Sequence, residues 1–116
     1  MNTAHPLTRK EVENARRNDR IGTELVAETG GMRIWHLCLG PGETLAAHHH
    51  DRPYLWTVLT DGHAISRHGD GRVETVVYSA GDTRHFPDLG PGDDFVHDLT
   101  NTGDQDLVFV TLEFDS

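Results

Sequence analysis

The chain is 116 residues long, 35% hydrophobic and 25% charged, which suits one globular domain with a single modest core and leaves no room for a second. Its only cysteine, Cys38, excludes an intrachain disulfide and a thiolate zinc cluster, so a metal would have to rest on nitrogen and oxygen donors. A formal net charge of −9, the lack of any apolar run near the roughly 20 residues that span a bilayer, and an N-terminus without a signal-like stretch argue against nucleic acid and membrane as partners and make a cytoplasmic location the expectation.

In chain order, Thr8-Arg9-Lys10-Glu11 matches a capping box, and the VENARRN that follows supports about two helical turns before Asp19-Arg20. Residues 1–20 therefore read as a polar segment with one short helix. From Ile21 onward, short β-favouring blocks alternate with turn signals such as Gly40-Pro41-Gly42, Asp61-Gly62, Gly81-Asp82 and Gly90-Pro91-Gly92. The blocks predict strands at 23–28, 32–39, 45–50, 54–60, 63–68, 72–78, 83–87, 95–100 and 107–114. Asp70-Gly71, set between two alternating runs, is the strongest hairpin signal. Regular strand spacing with tight turns predicts an all-β domain over residues 21–116, a sandwich or small barrel.

Three consecutive histidines end the third predicted strand. Side chains two apart on a strand share a face, so His48 and His50 project together while His49 points away. Two imidazoles on one face can hold a divalent ion at about 2.0–2.2 Å if a third donor approaches from another strand. His97, in a strand that runs into the turn Asn101-Thr102-Gly103, is the distant candidate.

These spacings resemble the two motifs of the cupin superfamily. Gly42, His48, His50 and Gly62 follow the first; Gly81-Asp82, Pro87, His97 and Asn101 follow the second, and the likeness covers about residues 32 to 114. The resemblance implies a cupin-type jelly-roll barrel in which His48, His50 and His97 hold a divalent metal, and small chains of this kind commonly form homodimers. Two departures stand out. Where the family's glutamate would follow the second histidine, this chain has Leu55, or Tyr54 in the variant with the shorter spacing. Nine residues, DLGPGDDFV, separate Pro87 from His97 where the family has four, which predicts a mobile lid or rim at 88–95.

Other residues sort around that expected site. Tyr54, His85 and Arg84 are the candidates for shaping a pocket or acting on a substrate, His85 as a fourth ligand or acid–base group and Arg84 as a carboxylate anchor if it points inward. Arg33 and Arg67 read as cross-strand partners of acidic residues, His36, His63 and His68 as ordinary strand or turn residues, Trp35 and Trp56 as core or interface, and Cys38 as a small buried hydrophobe. Three neutral imidazoles would leave a divalent ion its full +2 charge, so the expected substrate is a small, anionic or chelating organic molecule, and Leu55→Glu is expected to restore a fourth ligand. Fe, Zn, Ni, Mn, Co and Cu all suit such a donor set. The resemblance to three-histidine dioxygenases places an iron-dependent dioxygenase first, a metal-assisted isomerase or lyase next, and a non-catalytic small-ligand binder as the alternative.

Overall fold

A computed structural model describes residues 4–115, so the first three residues of the predicted N-terminal segment and the last of the barrel domain lie outside the described residues. Helix α1 (Arg9–Ala15) opens with the expected capping box: the Thr8 hydroxyl accepts from Glu11 N–H, and the Glu11 carboxylate accepts from Thr8 N–H. Nine strands follow: β1 (Glu24–Thr29), β2 (Met32–Leu39), β3 (Thr44–His50), β4 (Tyr54–Val58), β5 (Gly62–Arg67), β6 (Val73–Tyr78), β7 (Thr83–Phe86), β8 (Phe95–Asn101) and β9 (Leu107–Phe114).

The strands form two sheets, ordered β1-β2-β9-β4-β7 and β3-β8-β5-β6, with antiparallel pairing throughout. Faced together they make a jelly roll. Inward residues of both sheets meet in a core of Leu37, Leu39, Val58, Ala64, Leu99 and Leu107, joined by Tyr78 and Phe109. The alternation is visible along β2, where Trp35, Leu37 and Leu39 are buried and His36 and Cys38 are exposed. Cys38 is therefore not the buried hydrophobe expected of it, because its two apolar neighbours claim the inner face. The Asp70-Gly71 hairpin forms as expected, with Gly71 at a φ of 95° that side chains rarely adopt.

β3 lies at the edge of its sheet, and the segment after α1 covers it. Asn18 receives the His49 N–H on its backbone carbonyl at 2.8 Å and donates its side-chain amide to the Ala47 carbonyl at 3.0 Å. This occupies edge groups that would otherwise stay open to another chain. Arg33 pairs with Glu113 and Glu28, and Arg67 with the buried Asp98 and with Glu11, as expected of strand arginines. Trp35 is buried and donates its indole N–H to Glu113. No described helix is long and apolar enough to cross a membrane.

Candidate metal centre

The site begins with an irregularity in β3. Pairing between β3 and β8 shifts register between Leu45 and His48, so Leu45 and His48 both face the interior although three positions apart. The bulge also leaves the Ala46 carbonyl free to accept the His48 Nδ1–H at 2.8 Å. A carbonyl only accepts, so Nδ1 carries the proton and His48 Nε2 presents a lone pair inward. Beyond the bulge regular alternation resumes and sends His50 to the same side, while His49 turns out and donates Nε2–H to Asp94 at 2.8 Å.

His97 sits opposite His48 on β8. Ser66, on β5, fixes its tautomer. The Ser66 hydroxyl donates to the Asp98 carbonyl at 2.9 Å, so its oxygen accepts the His97 Nδ1–H at 3.1 Å and the His97 Nε2 lone pair points into the cluster. His50 Nε2 lies 3.0 Å from His48 Nε2 and 3.1 Å from His97 Nε2. Donors about 2.1 Å from one ion and at right angles about it stand about 3.0 Å apart, which is the spacing found. Among the described residues no other group of metal-binding side chains comes together in this way.

Electrostatics keep the cluster ready for a cation. Burial pushes His48 down to about 4, opposed first by its hydrogen bond to the Ala46 carbonyl and then by the charge of Asp98, and burial also holds His50 and His97 well below the ordinary imidazole value. All three are neutral near pH 7, each able to offer a lone pair. His50 Nδ1 is the one buried side-chain polar atom without a partner among the described residues, and its ring packs against Tyr54 and Phe95, at 4.1 and 5.1 Å between ring centres. Three converging imidazole nitrogens thus fit a divalent ion.

The cluster lies in the wall of a 280 Å³ cavity. Its apolar part is an aromatic corner in which Trp56, Tyr78 and Phe109 meet edge to face, at 5.0–5.6 Å. Tyr54 and Arg84 both line the cavity. Burial holds the Tyr54 phenol far above its usual range, and it stays protonated. His85 does not join them: between the inward Arg84 and Phe86 of β7, it faces out and is exposed. Leu55 shares that outer side, being paired with His85, while Tyr54 and Trp56 point inward. The position from which a glutamate could reach the cluster is therefore Tyr54, and Leu55→Glu cannot supply a ligand.

Two residues went unrecognised in the sequence, Ser66 and His68. His68, just past the end of β5, forms a β-bridge with His97 of β8, lines the cavity, and lies 3.6 Å from the Glu74 carboxylate. Inward parity with Ala64 and Ser66 could have flagged it. The 88–95 segment is anchored at two points, by buried Leu89 and by Asp94, which pairs with His49 and approaches Arg16 at 3.8 Å.

No protein-family model matches the sequence, and no curated protein is similar to it. Among solved structures, the chain is similar to a cupin domain from Bordetella pertussis Tohama I, with 19% identity over 80% of this chain and 91% of that one and a TM-score of 0.68. It is also similar to a protein with a double-stranded β-helix domain from Klebsiella pneumoniae, with 25% identity over 97% of this chain and 90% of that one and a TM-score of 0.61. A cupin 2 conserved barrel domain protein from Salinispora arenicola matches over 100% of this chain and 91% of its own, at 21% identity and a TM-score of 0.60. The chain thus has the cupin fold, a double-stranded β-helix whose inner wall brings three histidines together.

Proposed function

We propose that the protein is a metal-dependent enzyme acting on a small anionic, chelating organic molecule, and that an iron-dependent dioxygenase is the best-supported form of that reading. The observation that carries it is the all-imidazole cluster facing a partly open cavity, with no carboxylate in the donor set among the described residues. His48, His50 and His97 would hold the ion, which would supply Lewis acidity and, as iron, redox chemistry with dioxygen. Uncompensated by a ligand carboxylate, the +2 charge favours substrates that bring their own negative charge, such as enolates, thiolates or oxo-acids.

The chain's own side chains supply the rest. The aromatic corner excludes water from the apolar part of a substrate, and the neutral Tyr54 phenol, stacked against His50, can donate a hydrogen bond to a substrate oxygen beside the cluster. The same reading has the protein working in the cytoplasm as a homodimer. Exposed Leu25 and Val26 on edge strand β1 and Val73 and Val77 on edge strand β6 support a second copy packing there. Metal analysis of untagged protein purified without a nickel column, combined with oxygen uptake on pentane-2,4-dione, tests the enzymatic reading. Iron with substrate-dependent oxygen uptake is expected. Zinc or manganese without oxygen uptake would rule out the dioxygenase and favour an isomerase or lyase.

A further inference from the structure

The charges around the cavity are distributed unequally. The charged lining residues, exposed Arg72 and Arg84 and half-buried Glu74, come from β7 and from β6 with the turn before it, both edge strands, so the cavity opens between these two edges. On the β6 side every charge is matched: Arg72 donates to Asp70 at 2.8 Å and to Glu74 at 2.7 Å, and Glu74 also faces His68. On the β7 side Arg84 has no carboxylate partner among the described residues, although its stretch of sequence holds seven aspartates, at 82, 88, 93, 94, 98, 104 and 106. Its guanidinium instead lies over the Phe86 ring at 4.9 Å, on the cavity side of the strand, with Trp56 beside it in the sheet.

That placement has a chemical consequence. A guanidinium resting on an aromatic face keeps its N–H fork free for a planar anion, and Arg binds carboxylates through two parallel hydrogen bonds. In a chain of net charge −9 an anion meets general repulsion, so a local cation decides where an acid can settle. Glu74 repels a carboxylate from the opposite lip. The 280 Å³ volume holds about nine water molecules' worth of ligand, and its apolar part is the Trp56, Tyr78 and Phe109 corner.

We infer that Arg84 is a specificity-determining residue: it receives a carboxylate of the substrate at the β7 lip, so the substrate class is a small organic acid with an apolar or aromatic body that lies against Trp56, apart from the end that meets the histidines. This deepens the enzymatic reading and rests on it for the word substrate, but the binding of an acid at Arg84 does not require the metal.

The experiment uses that independence. Binding of 3-phenylpropanoate and of its amide is measured by NMR titration on metal-free protein, and again after loading with zinc. On metal-free wild type the acid is expected to bind about tenfold more tightly than the amide, the size of one charge-assisted pair in a partly open site. Arg84→Gln should bring the ratio to about one while leaving the amide's affinity unchanged. Arg72→Gln should keep the ratio, because that arginine is already engaged. An acid preference that survives Arg84→Gln, vanishes in Arg72→Gln, or arises only on zinc loading would overturn the assignment, the last by showing that the carboxylate sits on the metal. Protein that carries no metal on purification would sink the enzymatic reading and leave this measurement intact.

Discussion

Acidification should unfold the metal-free protein through its own metal site. His48 titrates near 6.5 when unfolded, but burial lowers it to about 4 in the folded chain, so between those values the unfolded state binds the extra proton. Its contribution to stability is complete above about pH 6.5 and falls as the pH drops toward 4. Integrated to pH 5, the loss from His48 alone is about 2 kcal/mol, and to pH 4 or below about 3 kcal/mol, at 1.36 kcal/mol per unit. His50 and His97 shift the same way and add to it. Surface carboxylates also destabilise the fold at low pH, so the comparison needs a variant that shares them. Urea unfolding of chelator-treated wild type and His48→Gln, at pH 7 and pH 5, isolates the effect. Wild type should lose roughly 2 kcal/mol more than the variant across that interval. Equal losses, within about 0.5 kcal/mol, would refute the claim that His48 is buried neutral.

Further outcomes follow from the same geometry. His48→Ala, His50→Ala and His97→Ala should each remove most bound metal, whereas His49→Ala should retain it and only loosen the contact with Asp94; equilibrium dialysis with zinc decides. Ser66→Ala should weaken zinc affinity about 10-fold or more, by freeing the His97 tautomer, and chelator competition would detect it; unchanged affinity would remove Ser66 from that role. Leu55→Glu should leave metal affinity and acetylacetone binding unaltered, while Tyr54→Glu should change both, as read by the same competition assay.

Most of the fold was legible because strands here are short, alternating and separated by glycine turns. Nine strands were expected and nine are described, with ends displaced by one or two residues; β4 stops at Val58 rather than at residue 60. The metal ligands were legible for a different reason. His48 and His50 share a face by parity, and the bulge that could have spoiled that parity lies just before them. Parity failed where a non-strand stretch intervenes. Asp51-Arg52-Pro53 breaks the count between His50 and β4, so the inward place fell to Tyr54 rather than Leu55, a matter no spacing rule could decide. His85 and Cys38 are different, since alternation along their own strands would have turned both outward. Parity with Ala64 and Ser66 would have turned His68 inward, whereas the role of Ser66 stayed hidden because it depends on β5 approaching β8, a contact between strands distant in sequence.

The most direct test of the account is an anomalous diffraction map from crystals of untagged protein loaded with one divalent metal. A single strong peak is expected about 2.0–2.2 Å from Nε2 of His48, His50 and His97, with the Nδ1 atoms of His48 and His97 still bound to the Ala46 carbonyl and the Ser66 hydroxyl. No peak in the cavity wall, or a peak held by other side chains, would contradict it.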